Sequence, residues 1–188
     1  MRLVRSSKLH IREIMRWFPD QQACAQWGGP AMRFPFTEES FLEDIHWGKM
    51  PSYSAVSDEC SLLGFGQFYE KLGRCHLARL AIAPELRGQG LGKTFISSLM
   101  KISADLLRLN EFSLYVLEWN TSAVCCYQSL GFRQVKAPEV IEGLEDCIFM
   151  ITAFDGKLRS ICHNVRCQLS KNRVIPEISP ANSGAWPG

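Results

Sequence analysis

The sequence lacks a long apolar run, a strong excess of charge of one sign and any paired cysteine motif. No apolar stretch approaches the roughly 20 residues that a helix needs to cross a bilayer, and the first residues do not follow the pattern of a secretion signal. A formal net charge of +2 leaves no concentrated basic surface of the kind that attracts nucleic acid. We therefore expect a cytoplasmic protein with a small-molecule partner, and neither a membrane nor a nucleic acid as its target.

The eight cysteines are not spaced as metal ligands. None of them belongs to a CxxC pair or to a Cys/His set with zinc-finger spacing. Cys162, His163 and Cys167 lie close together, but two thiols and one imidazole in a polar segment are more typical of a solvated tail. The sequence predicts reduced thiols and no metal site.

The composition changes near residue 155. Before this point the chain, which is 46% hydrophobic as a whole, has enough regularly spaced apolar residues for one core. Beyond it the sequence is richer in proline, serine and asparagine, and basic residues outnumber acidic ones. We predict one domain over 1–154 and a polar, weakly basic, loosely ordered tail over 155–188.

Apolar spacing predicts an α/β chain of the α+β type. The stretch Trp27–Pro30 is typical of a loop, and Thr37 precedes a helix with an acidic first turn. Strands before and after a central helix indicate a mixed, mostly antiparallel sheet flanked by helices. The predicted strands are 2–5, 53–57, 62–69, 74–82, 112–117 and 147–154, and the predicted helices are 8–18, one from Thr37, 93–109 and 121–130.

The most informative segment is a glycine-rich turn between an apolar strand and a strong helix. Gly88, Gly90 and Gly92 let the backbone approach a ligand closely, and free N–H groups at the helix start favour an anion such as a pyrophosphate. Arg87 and Lys93 add positive charge beside them. The segment therefore predicts a phosphate-binding loop.

Two common phosphate loops do not fit this spacing. A nucleotide P-loop would end acceptably at Gly92-Lys93-Thr94, but Arg87 stands where its first glycine is required. The dinucleotide fingerprint GxGxxG would begin at Gly88 and Gly90, but its third glycine falls on Lys93, and the loop follows a meander instead of opening a βαβ unit. Both readings are disfavoured.

The pattern R/Q-x-x-G-x-G/A does fit, and here the chain resembles the GNAT superfamily of acetyltransferases. Arg87, Gly90 and Gly92 fill that pattern. Downstream, Asn120-Thr121-Ser122-Ala123 followed by Tyr127-Gln128-Ser129-Leu130-Gly131-Phe132 is similar to the family's N-x-x-A-x-x-x-Y-x-x-x-G-F segment. The two motifs cover roughly residues 74 to 135 at compatible spacing, which makes the resemblance specific.

The resemblance implies that acetyl-CoA is the acyl donor and that it lies in a wedge between two splayed strands. The loop would hold the pyrophosphate and the preceding strand the pantetheine arm, with a main-chain donor near Ile82 stabilising the oxyanion. The positions that the resemblance assigns to acetyl-CoA are Leu80, Ala81, Ile82, Arg87, Gly88, Gln89, Gly90, Leu91, Gly92, Lys93, Asn120 and Tyr127.

The same resemblance assigns catalytic roles. Tyr127 matches the tyrosine that protonates the departing CoA thiolate, and a primary amine would attack directly in a ternary complex. A lysine-like amine is mostly protonated at neutral pH, so a base is needed. The strand 76–80 lacks the glutamate that some members place there, which leaves Glu118 and His76 as candidates. Cys125 and Cys126 would suit a covalent acyl-enzyme, but no histidine is near them in sequence.

The acceptor is left open by the sequence. The segment Leu114–Leu117 lacks the glutamate and arginine that are typical of the ribosomal-protein alanine N-acetyltransferases, so small amines, amino acids, antibiotics and protein amines all remain. Five early aromatic residues could line a pocket or fill the core: Trp27, Phe34, Phe36, Trp47 and Tyr53. The alternative function is an acyl-CoA-binding sensor or regulatory module, and either protein would be a monomer or a homodimer.

Overall fold

A computed structural model describes residues 1–139 and 141–153, and its sheet has seven strands in the order β1-β2-β3-β4-β5-β7-β6. All neighbouring strands are antiparallel except β4 and β5, which run parallel. The predicted mixed, mostly antiparallel sheet is therefore confirmed. The strands are β1 Arg2–Arg5, β2 Ser52–Val56, β3 Leu62–Lys71, β4 Arg74–Ile82, β5 Glu111–Leu117, β6 Arg133–Val135 and β7 Cys147–Ala153.

Five α-helices accompany the sheet in the described part of the chain, and side chains cap several of their starts. Thr37 caps α3 in a reciprocal capping box with Ser40, and Asn120 caps α5. The central helix α4 begins and ends two residues before its predicted bounds. The helices are α1 Lys8–Met15, α2 Gln21–Gly28, α3 Glu38–Asp44, α4 Leu91–Leu107 and α5 Thr121–Gln128.

Two elements differ from the sequence prediction. The first two residues of the expected loop at Trp27–Pro30 instead end α2 at Gly28, because Asp20 accepts a hydrogen bond from the Ala23 N–H at 2.7 Å and starts a new helix after Pro19. The short strand β6 was not predicted, because its three residues are held by pairing with β7 and have no alternating apolar pattern. The predicted tail 155–188 and the last strand residue Phe154 lie outside the described residues.

The core has two parts on opposite faces of the sheet. Helices α4 and α5 cover one face, where Phe95 and Leu99 pack on strand residues such as Phe112. Helices α1, α2 and α3 cover the other face, where Ile14 and Phe41 pack near Phe65. The sheet is therefore enclosed on both sides near β3 and β4, and the ends of these two strands are held firmly where the candidate site begins.

Truncation of Leu99 tests this packing against a matched residue of the same helix. Leu99 is fully buried in α4, whereas Leu106 is 51% exposed. We expect Leu99→Ala to lower the free energy of unfolding by about 2–5 kcal/mol, because it leaves a cavity in the core. Leu106→Ala should change it by about 0.5 kcal/mol or less in the same urea titration. Equal losses in the two variants would contradict the packing described here.

Candidate active site

The parallel strands β4 and β5 separate soon after they meet. Only two register pairs join them, Cys75 with Phe112 and His76 with Ser113. Strand β4 then continues to Ile82 and β5 to Leu117 without pairing with each other. The edge of β4 that faces β5 is thus open beyond His76, and it offers main-chain donors and acceptors to an extended ligand.

A bulge in β4 lies just beyond this fork. Gln67 pairs with Ala78 and Phe65 with Ala81, so two residues of β4, Arg79 and Leu80, lie opposite the single residue Gly66 of β3. Glycine leaves room for the packing at that position, since a Cβ on Gly66 would lie 2.8 Å from the Leu80 Cδ2 and 2.8 Å from the Leu99 Cδ2 and both side chains would have to move. The bulge bends β4 at the point where it leaves β5.

The glycine loop connects the end of β4 to α4 through a 3-10 turn at Pro84–Leu86. Gly88 and Gly90 adopt positive φ of 76° and 79°, in the left-handed region that favours glycine. Gly90 is also the N-cap of α4 and provides no side-chain cap. The first N–H groups of α4 are therefore left for an anion, which the helix dipole also favours.

Side chains in the loop hold it against the strand. Arg87 Nε donates to the Ile82 carbonyl oxygen at 3.2 Å, and Gln89 Nε2 donates to the Glu85 carbonyl oxygen at 3.1 Å. Arg87 and Lys93 are both exposed. The positive groups of the loop therefore lie at the surface beside the end of β4.

The start of α4 packs against both β4 and α5 at Gly92. A Cβ on Gly92 would lie 3.6 Å from the Cys126 Sγ and 3.9 Å from the Ile82 Cγ1. Cys126 is adjacent in sequence to Tyr127. The structure thus brings together the loop, the end of β4 and the helix that carries Tyr127, three segments that the sequence motifs single out separately.

Tyr127 and Asn120 occupy opposite ends of α5. Tyr127 is buried with its ring 5.9 Å from that of Phe132, and burial raises the pKa of its phenol well above the ordinary value. The phenol is therefore fully protonated at neutral pH. Asn120 Oδ1 accepts from the Ala123 N–H at 3.3 Å as the cap of the helix, a bond that does not use the amide nitrogen of the same side chain.

His76 lies at the base of the fork. It is buried, its Nδ1 is 2.9 Å from the Ser113 Oγ, and its ring is 5.1 Å from Tyr69 and 5.6 Å from Tyr115. Burial, together with the charge of Lys71, lowers the pKa of His76 to about 3. The imidazole is neutral at neutral pH, and its low pKa makes it a weak proton acceptor.

Glu118 follows the end of β5 and is exposed. Its backbone N–H donates to the Asp146 carbonyl oxygen at 2.9 Å, which ties the start of the β5–α5 loop to the segment before β7. The side chain projects from the same short loop that leads to Asn120, and it is the carboxylate nearest in sequence to α5. The structure therefore leaves Glu118 open to water and to a bound ligand.

Most of the early aromatic residues fill the core. Trp27 stacks on Phe18 at 4.4 Å between ring centroids and on Phe41 at 5.6 Å. Phe36 meets Phe41 at 5.0 Å and Phe34 at 5.5 Å, and Tyr53 stacks on Phe68. Trp47 differs from them, since it lines an open cleft of about 290 Å³ with Leu42, Glu43, His46 and Lys49 at the end of α3.

Arg79 was not among the candidates that the sequence provided. It lies in the bulge of β4 with a positive φ of 50°, although its side chain is mostly buried. The available signal was a single cation inside the otherwise apolar run from Leu77 to Ile82.

No group of three or more His, Cys, Asp or Glu side chains that could hold a metal ion occurs within 1–139 and 141–153. Cys162, His163 and Cys167 lie outside these residues. The same part of the chain contains no helix that is long and apolar enough to cross a membrane.

Comparison with known proteins gives N-acetyltransferases as relatives. The chain is 30% identical over 109 residues to the thialysine N-epsilon-acetyltransferase of Sus scrofa, covering 55% of this chain and 63% of that protein. It is 28% identical over 105 residues to the spermidine N(1)-acetyltransferase of Vibrio cholerae, covering 55% of this chain and 61% of that one. The matches thus span less than two thirds of the length of these relatives.

Solved structures share the fold. The spermidine N-acetyltransferase from Vibrio cholerae in complex with CoA and spermine superposes with a TM-score of 0.63 at 21% identity, over 83% of this chain and 96% of that chain. The ribosomal-protein-S18-alanine N-acetyltransferase from Escherichia coli gives 0.57 at 18% identity, over 81% and 92%. The sequence model of the Acetyltransferase (GNAT) family matches residues 15–132, which include the fork, the glycine loop and α5. This chain therefore belongs to the GNAT acetyltransferase family, as the sequence motifs predicted.

Proposed function

We propose that the protein is an N-acetyltransferase that moves the acetyl group of acetyl-CoA to a primary amine. The observation that carries the proposal is the fork between β4 and β5 beside the uncapped start of α4 at Gly90. An extended arm fits the open strand edge, and a pyrophosphate fits the helix start. The relatives named as acetyltransferases of thialysine and spermidine support an amine as the acceptor.

In the proposed complex the loop binds the phosphates through main-chain N–H groups, with Arg87 and Lys93 adding charge. The strand residues Leu80, Ala81 and Ile82 pair with the pantetheine arm through their backbone. The amide nitrogen of Asn120 donates to the same arm. The remaining loop positions that we assign to acetyl-CoA are Gly88, Gln89, Gly90, Leu91 and Gly92.

The chemistry is a direct acyl transfer. The nitrogen lone pair attacks the thioester carbonyl, and a main-chain donor near Ile82 stabilises the resulting oxyanion. The C–S bond then breaks, and the CoA sulfur takes the proton of the Tyr127 phenol. The raised pKa of Tyr127 keeps the phenol protonated at neutral pH, and the proton that the nitrogen loses as the amide forms restores the phenol.

The attacking amine must first lose a proton. We propose that it passes through water to Glu118 or to His76. Glu118 is exposed at the end of β5, whereas His76 is buried at the base of the fork with a lowered pKa. The exposed carboxylate is thus better placed to pass the proton to solvent, and His76 is better suited to hold a water molecule by hydrogen bonding.

The second candidate function is an acyl-CoA sensor. It is favoured by the weakness of His76 as a proton acceptor, because a sensor needs no base for an attacking amine. A free-thiol assay separates the two functions. If the protein is an enzyme, CoA is released from acetyl-CoA only when a suitable amine is added. Binding of acetyl-CoA without release of CoA across a broad amine panel would favour the sensor.

We further propose a cytoplasmic location and a monomer or homodimer. The six cysteines in the described residues are all free thiols, which suits a reducing compartment. Gel filtration of the full chain decides between the two oligomeric states.

Replacing Tyr127 by phenylalanine should lower kcat strongly and leave acetyl-CoA affinity nearly unchanged. A positioned acid contributes about 10²- to 10⁴-fold, and only the hydroxyl is removed. Tyr53→Phe is the matched control, because Tyr53 is also 8% exposed in the same core cluster. Steady-state kinetics and calorimetry check both variants. Unchanged turnover in Tyr127→Phe would remove this residue from the mechanism.

Gly90→Glu should abolish acetyl-CoA binding, because the new carboxylate would stand at the helix start and repel the phosphates. Gly73→Glu is the matched control: Gly73 has a φ of 72°, also without a neighbour within 4 Å of its Cβ position, but it lies in the β3–β4 turn. Backbone strain is thus similar in both variants. Calorimetric affinity retained in Gly90→Glu, or lost equally in Gly73→Glu, would refute the loop assignment.

The domain boundary is a further proposal, with the acetyltransferase domain over 1–154 and a separate tail over 155–188. Deleting the tail should leave cooperative unfolding and acetyl-CoA affinity unchanged. Thermal unfolding and calorimetry of the shortened chain beside the full chain provide the comparison. Loss of the cooperative transition would show that the domain extends beyond residue 154 and includes part of the tail.

A further inference from the structure

Arg79 is a partly buried cation that forms no ion pair in the described residues. None of the ion pairs within 1–139 and 141–153 includes it. Burial lowers the pKa of its guanidinium, but arginine remains protonated in proteins. Buried charges are costly and are normally paired, so a site that keeps one unpaired requires an explanation.

The contacts of Arg79 are all to neutral groups. Its Nη2 donates to the Asp44 carbonyl oxygen at 2.9 Å, and its Nη1 donates to the Gln67 Oε1 at 3.1 Å and approaches the Met50 Sδ at 3.7 Å. Its Nε is fully buried and has no hydrogen-bond partner. The two terminal nitrogens thus hold the guanidinium in a fixed orientation, and its charge is met by neutral acceptors and not by an anion.

The nearby carboxylates offset this charge only in part, because Asp44 acts on Arg79 through space and not through an ion pair. Asp44 is bound by Arg33 at 2.7 Å, and Glu43 is bound by the same arginine at 2.8 Å. Burial lowers the pKa of His46, and the charges of Arg79 and Lys49 lower it further, while Asp44 acts in the opposite direction. Burial raises the pKa of Tyr69 to about 12, so its phenol is neutral too. Positive charge therefore prevails around Arg79.

The position of Arg79 connects it to the proposed reaction. It lies in the β4 bulge, one residue before Leu80 and beyond the last pair of β4 with β5. Its side chain reaches the end of α3 and the following Met50, so it faces the layer of α1 to α3 and not that of α4. Its φ of 50° is a strained conformation for arginine, and such strain persists where surroundings or function require it.

We propose that Arg79 binds a carboxylate of the acceptor, so that the acceptor is an amine of the amino-acid type and not a polyamine. This inference rests on the proposed acetyltransferase activity. The guanidinium fixes the carboxylate on the α3 side of β4, and the amine of the same molecule is directed towards the thioester at the fork. A polyamine would bring a second positive charge to this side of the strand and would be repelled.

A structural role for Arg79 is the competing explanation. Asp44 is the last residue of α3, so the bond from Arg79 to its carbonyl oxygen also caps that helix, and positive charge is favourable there. A purely structural arginine would affect all acceptors and the stability alike. A carboxylate-binding arginine affects only acceptors that carry the anion.

The experiment compares amines that differ only in a carboxylate. The two pairs are lysine with cadaverine and β-alanine with ethylamine, and spermidine is the polyamine probe. The release of CoA is measured with the full-length protein. In each pair we expect kcat/KM to be about tenfold or more higher for the amine that carries a carboxylate. A hydrogen bond to a charged group contributes a free energy of this size. Arg79→Gln should remove this preference, mainly through KM, and leave the partner amine within about threefold.

Matched variants control for folding and for general electrostatics. Arg12→Gln removes an exposed arginine bound to Glu38 at the other end of α3, and it should keep the preference. Arg79→Lys retains the charge without the planar fork, and it should keep a reduced preference even if Arg79→Gln does not fold. Acetyl-CoA affinity, measured for each variant, should equal that of the unaltered protein.

Three outcomes would overturn the inference: equal or better use of the amines without a carboxylate, equal loss for both members of a pair in Arg79→Gln, or a preference that survives both Arg79 variants. If no amine of the set is turned over, titration of the CoA-bound protein decides. Propionate should then bind more tightly than propylamine and lose affinity in Arg79→Gln, and absence of propionate binding overturns the inference. Failure of the unaltered protein to bind acetyl-CoA would refute the proposed function itself, and the inference with it.

Discussion

The short parallel pairing of β4 with β5 is the constraint on which the rest of the site depends. Two register pairs hold the strands together at Cys75 and His76, and the strands then diverge. The bulge opposite Gly66 bends β4 at this point, and the side chains of α4 fill the space behind it, where a Cβ on Gly66 would meet Leu80 and Leu99. An open strand edge can therefore exist inside a well-packed sheet without leaving an unsupported gap.

The fork between β4 and β5 is the point at which three otherwise separate features of the fold meet. The uncapped start of α4 lies beside the end of β4, and α5 reaches the same region through the contact of Cys126 with Gly92. Each feature alone has a structural explanation. Together they bring an uncapped helix start, an open strand edge and the helix that carries Tyr127 close to one another, which is the arrangement that we propose for acyl transfer from a long thioester.

Local patterns in the sequence were sufficient where local physics decides the structure. The capping residue Thr37 and the wide apolar stripe of α4 predicted their helices, and the loop spacing predicted the family. Features that depend on distant partners were not predictable in this way. The strand β6 is defined by its pairing with β7, and α2 was hidden because Trp27-Gly28-Gly29-Pro30 has the letters of a loop although Asp20 starts a helix before it.

The site residues also differ in whether local sequence or distant partners determine their position. The motif predicted which residues lie in the loop and in α5, but the burial of His76 and its bond to Ser113 depend on the β4–β5 register. Arg79 was missed because a bulge breaks the alternation of β4, so that sequence position does not show which face its side chain takes. The side of β4 on which the charge of Arg79 lies is thus a property of the fold and cannot be assigned from the strand sequence alone.

The central claim is that the fork and the glycine loop form an acetyl-CoA site. Calorimetric titration of the full chain with acetyl-CoA, beside ATP and NADH under identical conditions, tests it most directly. The account predicts saturable one-site binding of acetyl-CoA and much weaker binding of the other two, because they carry phosphates for the loop but no pantetheine arm for the β4 edge. Equal binding of all three ligands, or no binding of acetyl-CoA, would contradict it.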